Sequence, residues 1–224
     1  MILDGGFLSL EEKVYLELEE EILSGVLERG AALNETALSR RLGVSRTPIR
    51  SALRRLAEDG LVGISANRGA SVVGITEEDL IDIYRIRVRL EGLAALACAE
   101  RISEASLAAL RESVELSEFY ISRGNAEKQK ELDSTFHETI YKESGNRLLC
   151  KTLSELHKKI KAYRKMSLSV PGRLQRSVEE HRQILEAIEA RDGALADRLA
   201  TRHIEEALEN LKRAFASRKR NGGI

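Results

Sequence analysis

Residues 42 to 54 read Leu42-Gly43-Val44-Ser45-Arg46-Thr47-Pro48-Ile49-Arg50-Ser51-Ala52-Leu53-Arg54. Ser45 stands where a helix N-cap belongs, and its hydroxyl is expected to accept a backbone N–H of the first turn. Pro48 has no N–H to give, which does no harm there because first-turn amides lack helical partners anyway. Ile49, Leu53 and Leu56 then make one stripe, while Arg46, Arg50 and Arg54, four apart, share another face. Gly60 marks the end. Upstream, Asn34 caps a shorter helix carrying Ala37, Leu38 and Leu42, and Gly43 permits the turn into the next. Before that, Ser9 to Glu12 form a capping box that opens a helix with Val14, Leu18 and Ile22 on one face, ending near Gly25. Downstream the period shortens: Leu61-Val62-Gly63-Ile64 and Ser71-Val72-Val73 read as short strands joined through the turn Asn67-Arg68-Gly69. Three helices and a two-stranded wing predict a winged helix-turn-helix over residues 8–74.

Composition supports a folded, mostly helical chain. Of 224 residues 42% are apolar, 32% charged and only 4% aromatic, with two prolines, enough to bury a core in one or two domains. No apolar run is long enough to span a bilayer and the N-terminus has no basic-then-apolar leader, so a soluble, cytoplasmic protein is expected. Two cysteines, Cys98 and Cys150, exclude a disulfide framework or a cysteine-rich zinc finger. The 36 basic and 36 acidic side chains cancel, which argues against a nucleic-acid partner until their positions are examined. Glu11 to Glu35 hold eight acids against Lys13 and Arg29, whereas Arg40 to Arg68 hold seven arginines against Glu58 and Asp59. A basic face is hidden in a neutral total. In a helix-turn-helix the start of the second helix enters the major groove, where arginine bonds guanine bidentately and backbone amides meet phosphate.

The DNA-facing run is similar to the DNA-binding domain of GntR-family bacterial transcription regulators, on Asn34-Glu35 through Leu38, Arg41 to Arg50, Ala52-Leu53, Leu56, Asp59 to Val62 and Asn67-Arg68-Gly69. The resemblance implies operator contacts at Ser45, Arg46, Thr47 and Arg50, with Asn67, Arg68 and Gly69 at the wing; Arg54 shares the arginine face. Arg29-Gly30 stands where the family usually has Pro-Gly, which loosens a turn away from the DNA.

From Thr76 on, no strand signal appears. Caps and glycine breaks predict six helices, making an all-α antiparallel bundle over residues 75–220. Asp133 and His137, four apart, share an inward arc with Phe136 and Ile140; His181 lies with Ile184, Leu185 and Ile188; His203 lies with Ala196, Leu199, Ala200 and Ala207. Three histidines and a carboxylate on inward stripes can hold a divalent transition metal, with zinc first and nickel, manganese or iron as alternatives. Arg87 and Glu91 also face inward. They fit either an internal ion pair or an arginine that anchors an effector carboxylate beside the metal. His157 is expected on a helix surface.

Arg87 with Leu90-Glu91, Asp133 to His137, Ser144-Gly145-Asn146, Glu180-His181 and His203 together resemble the FCD effector domain of FadR-type GntR regulators. That resemblance implies Asp133, His137, His181 and His203 as metal ligands and a small organic acid as effector. The expected protein is a ligand-responsive regulator that binds a palindromic double-stranded DNA operator as a homodimer and has no membrane partner. A metal-dependent hydrolase with an appended DNA-binding head is the alternative; it is weakened because Glu138 projects about 100° from His137 and no nucleophile motif appears. A third reading keeps the regulator and treats the histidines as hydrogen-bonding ligand contacts without metal.

Overall fold

The computed structural model describes residues 8–65, 69–160, 163 and 172–220, and the chain divides into two compact units, Met1–Thr76 and Glu77–Ile224.

The first unit opens with α1 (Leu10–Ser24), capped by Ser9, whose Oγ accepts from the Glu12 N–H at 3.0 Å. The box does not close reciprocally, because the Glu12 carboxylate is taken by Arg55. β1 (Ala32–Leu33) leads into α2 (Glu35–Leu42), where Asn34 Oδ1 accepts from the amides of Thr36 and Ala37. Gly43, at φ +66°, makes the turn into α3 (Arg46–Glu58). Ser45 occupies the cap position of α3, yet its hydroxyl makes no capping bond. Pro48 is the cause: it sits at the third helical position, whose N–H a serine cap ordinarily takes, and it has none. Ile49, Ala52, Leu53 and Leu56 are buried, each of the larger side chains contributing about 1.5–3 kcal/mol by leaving water. β2 (Val62–Ser65) and β3 (Gly69–Val72) follow, and the strand order is β1-β3-β2, all antiparallel, with Ala32 opposite Ser71 and Val62 opposite Val72. The sheet thus has three strands, not the two expected. Ala32–Leu33 is too short to carry an alternation; it is a strand because β3 supplies its partners. Asn67 and Arg68 lie outside the described residues.

The second unit contains α4 (Glu77–Arg101), α5 (Glu104–Ser122), α6 (Ala126–Glu143), α7 (Arg147–Ile160), α8 (Arg173–Glu189) and α9 (Gly193–Arg220). Ser103 and Asn125 cap α5 and α6. Arg111 of α5 pairs with Glu189 of α8, and Glu118 of α5 with Arg182, so these two helices run antiparallel. Because α5 and α6 form one hairpin and α8 and α9 another, α6 runs parallel to α8 and antiparallel to α9. The core joins Ala94, Ala95, Cys98 and Ala99 of α4 to Phe136 and Ile140 of α6, Ile184 and Ile188 of α8, and Ala196 and Ala200 of α9. Gly92 sets the approach of α9 to α4: a Cβ there would fall 1.9 Å from Asp197 Oδ1 and 2.9 Å from the Asp197 carbonyl oxygen.

Candidate functional site

In the first unit the polar edge of α3 is open. Ser45, Arg46, Thr47, Arg50 and Arg54 are all exposed, because the apolar stripe of α3 turns the opposite side of the helix into the core. The arginines differ in what they touch. Arg41 pairs with Glu21, Arg55 pairs with Glu12 and lies over the Tyr15 ring, and Arg50 grips Glu35 through two bonds, Nε at 3.0 Å and Nη2 at 2.8 Å. The hydrogen bond from Arg50 holds the Glu35 carboxyl below its ordinary pKa. Arg46 and Arg54 make no ion pair among the described residues. A groove between this edge and the wing is lined by Glu35, Arg50, Arg54, Ile64 and Gly69.

In the second unit, α6, α8 and α9 bring His137, His181 and His203 together, with one ring nitrogen of each within 4.8 Å of the others. All three are buried. His181 Nε2 and His203 Nε2 stand 3.2 Å apart, close to the roughly 3.3 Å that separates two imidazole nitrogens on one tetrahedral metal. Phe136 stacks on His181, ring centroids 4.1 Å apart, and fixes its plane. Asp133 lies beside the three, its Oδ1 3.8 Å from His181 Nε2.

The other ring nitrogens explain how the histidines are aimed. His137 Nδ1 faces Glu91 Oε2 at 3.1 Å and His203 Nδ1 faces Glu180 Oε2 at 2.6 Å. A carboxylate can only accept, so each Nδ1 carries the proton and each Nε2 presents a lone pair. His137 Nε2 is buried with no hydrogen-bond partner, the state of a ligand nitrogen turned toward an ion. Burial pushes the His203 pKa well below its usual value, and the Arg173 guanidinium adds to the effect, keeping it in the neutral, ligating form. Each carboxylate is in turn held by a buried arginine. Arg87 Nε and Nη2 donate to Glu91 Oε1 at 2.8 and 2.5 Å, and Arg173 Nη1 donates to Glu180 Oε1 at 2.6 Å. Two relays, Arg87–Glu91–His137 and Arg173–Glu180–His203, therefore orient the cluster from outside. Burial opposes charge on Glu91, but the Arg87 guanidinium, with the hydrogen bonds from His137 and Tyr141, outweighs it and holds the carboxyl well below the usual range. The donor set fits a borderline-soft divalent ion.

The inward Arg87–Glu91 pair expected from spacing is present. The surface placement of His157 is not: it is buried, with Nδ1 3.4 Å from the Tyr141 hydroxyl and Nε2 3.3 Å from Ser134 Oγ. Leu149, Leu153, His157 and Ile160 form one buried stripe on α7, a spacing that was legible in the sequence. Tyr141 donates to Glu91 Oε1 at 2.5 Å, extending the network to His157. Glu180 gave less signal. Its seven-residue spacing from Arg173 puts both on one helix face, but its bond to His203 crosses between helices and no local pattern reports that.

Residues 10–72 match the family model for bacterial regulatory proteins of the gntR family, and residues 82–206 match the FCD domain. The chain belongs to the GntR family. This GntR regulator is 31% identical over 208 residues to the uncharacterized HTH-type transcriptional regulator YdhC of Bacillus subtilis (strain 168), spanning 92% of this chain and 93% of that one. It is 28% identical over 203 residues to the HTH-type transcriptional repressor RspR of Escherichia coli (strain K12), spanning 91% and 89%. Its fold is similar to that of E. coli McbR/YncC, with a TM-score of 0.74, 25% identity, and coverage of 93% and 100%. These relatives are transcription regulators, so the metallohydrolase alternative is set aside. No described helix of the regulator is long and apolar enough to cross a membrane.

Proposed function

We propose that this transcription regulator senses a small organic acid through a metal held by His137, His181, His203 and Asp133, and couples that sensing to operator binding. The observation that carries the reading is the convergence of three buried imidazoles, two of them locked by carboxylates into the ligating tautomer. A divalent ion there supplies a Lewis-acidic point for an acid's oxygen atoms. Arg87, buried behind His137 and bound to Glu91, would add positive charge for the same carboxylate. On the DNA side, Arg46 and Arg54 are free to meet bases and phosphates, Ser45 and Thr47 flank the helix start, and Arg50 joins them by exchanging Glu35 for DNA, with Asn67, Arg68 and Gly69 as the contacts that the family resemblance implies.

A homodimer on a palindromic operator suits the outward face of α4, where Ile86 and Leu93 are each 48% exposed. Arg85 and Arg89 line a groove there, with Glu205 and Glu209 of α9 on its other side. A two-fold axis along that groove sets the arginines of one copy against the glutamates of the other. The test has two arms. Protein purified without added metal or chelator is expected to carry close to one transition-metal ion per chain, and the His137→Ala variant far less. Arg46→Ala is expected to weaken operator binding in a gel-shift titration tenfold or more, on the scale of a lost bidentate base contact of about 1–3 kcal/mol. Metal-free protein refutes the sensing arm, and unchanged operator affinity refutes the DNA arm.

A further inference from the structure

An enclosed metal site needs an entry path, and the two carboxylate relays differ in whether they leave one. The side chain of Glu91, which holds His137, is 3% exposed, and Arg87 and Tyr141, which grip it, are buried too. The side chain of Glu180, which holds His203, is 23% exposed. Helix spacing explains the difference, because residues three and four apart flank a given side chain on its two sides. Around His181 the flanking residues Ser177, Val178, Ile184 and Leu185 are all buried, and Phe136 stacks on the ring. His203 stands instead on a boundary. On one side of it Ala200 and Ala207 are buried; on the other, Leu199 and Glu206 line a groove of about 340 Å³ that opens on the surface. Glu180 stands on the matching boundary of α8, with Ser177 and Ile184 buried and Arg176 and Gln183 lining the same groove. Glu180 and His203 line it as well, so their 2.6 Å hydrogen bond lies at its inner edge. On the far side of that imidazole, Nε2 is 3.2 Å from His181 Nε2. One ring stands between the groove and the cluster.

We propose that this groove is the port by which the metal ion enters and leaves, with Glu180 the first carboxylate of the relay to meet it and His203 the ligand that turns aside. The inference rests on the proposed metal site and adds the path to it. What fixes the His203 ring is a hydrogen bond to a carboxylate that water reaches, and water can replace a partner there at small cost. His137 has no such freedom, because its carboxylate is shared with Arg87 and Tyr141 away from solvent. When His203 turns, Glu180 does not follow. Arg173 Nη1, 2.6 Å from Oε1, keeps the carboxylate in place, and Oε2 is left with a lone pair for a divalent ion. Glu179 and Glu206 set two further carboxylates along the way, interspersed with Arg176 and Arg202. Release retraces entry over the same barrier, so whatever narrows the groove slows both directions and leaves the affinity alone.

Stopped-flow mixing of the full-length protein with zinc, followed by a zinc-indicator dye, measures association. Mixing zinc-loaded protein with excess chelator measures release, and equilibrium competition measures affinity. Gln183→Trp puts a bulky ring into the groove from α8 and Arg202→Trp does so from α9; both positions are exposed. Each is expected to slow association and release alike, by about tenfold, with affinity within about twofold of wild type. Glu112→Trp, exposed on α5, is expected to change neither rate. Glu179→Gln combined with Glu206→Gln is expected to slow association severalfold at low salt and to converge on wild type at high salt. Rates that stay at wild-type values in both groove tryptophan variants overturn the port and leave the metal site standing. Affinity lost through faster release alone assigns the groove residues a structural role and likewise overturns the port. Wild-type protein that takes up no zinc refutes the metal site, and the port with it.

Discussion

Replacing Glu91 by glutamine keeps the shape of the side chain and removes a carboxylate that four buried donors share: Arg87 Nε and Nη2, the Tyr141 hydroxyl and His137 Nδ1. Glutamine has one acceptor oxygen and one NH2. If the oxygen stays with Arg87 and Tyr141, the NH2 faces His137 Nδ1 and drives its proton to Nε2, the nitrogen turned toward the other histidines. If the amide flips, the NH2 faces a guanidinium. Either way Arg87 stays charged at 1% exposure without its counterion, and breaking such a pair costs about 3–5 kcal/mol. That is a large part of a typical total stability of about 5–15 kcal/mol, and corresponds to a fall of roughly 6 to 20 °C in Tm for a unit of this size. The metal term is separate, because losing the partner that orients a ligating histidine typically lowers affinity about 10- to 100-fold. Thermal and urea denaturation of metal-free protein measure the first quantity; zinc titration against a competing chelator measures the second. The double variant Arg87→Met with Glu91→Leu, which removes both charges, is expected to recover most of the stability and none of the zinc affinity. A Glu91→Gln protein that melts like wild type and binds zinc equally well refutes the relay.

Gly92→Ala forces α9 away from α4 at Asp197; overpacking of this kind costs about 1–3 kcal/mol, and because His203 rides on α9, zinc affinity is expected to fall with Tm, while an unshifted Tm shows that the helices part without strain. Glu35→Gln releases Arg50 and is expected to raise affinity for DNA severalfold in a fluorescence-anisotropy titration at low salt, converging with wild type at high salt; a lower affinity means instead that Glu35 positions Arg50. The Arg50–Glu35 pair also fixes a pH window. Its bond depresses the Glu35 pKa in the folded state, so its contribution is fully present above the ordinary carboxylate pKa and is lost as pH falls through the lower folded value; the Glu35→Gln effect is therefore expected to be level from pH 8 to pH 5. Burial pushes the Cys98 thiol up to about 12, so at pH 8 a thiol reagent is expected to label only half-buried Cys150 in the native protein and to reach Cys98 after unfolding.

What could be read from the chain depended on whether the information was local. The caps at Ser9, Asn34 and Ser103, the stripe of α3 and the inward arcs of the three histidines are set by spacing within one helix, and the structure has them. β1 escaped because two residues carry no period and pair only with a strand more than thirty residues away. The missing bond of Ser45 escaped because a cap motif and a proline at the position it serves act against each other. The histidine relays were half legible. Arg87 and Glu91 are four apart on one helix, but Glu91–His137 and Glu180–His203 cross between helices. His157 is buried where a surface position is expected, although its stripe with Leu149 and Leu153 repeats every four residues and carries the signal in the sequence.

The engagement of Arg41, Arg50 and Arg55 by Glu21, Glu35 and Glu12 has a thermodynamic consequence for how the regulator leaves DNA. Affinity falls with salt in proportion to the number of DNA counterions a protein displaces, with a slope of about −0.9 per phosphate neutralised. An arginine already matched to a carboxylate displaces a counterion only if it first abandons that carboxylate, so on the proposed operator contacts the effective number is expected to follow Arg46 and Arg54 rather than the arginine count of the stretch. Ionic strength is then expected to be a comparatively weak control over operator occupancy, so that the proposed sensing in the helical domain, not salt, would decide between binding and release.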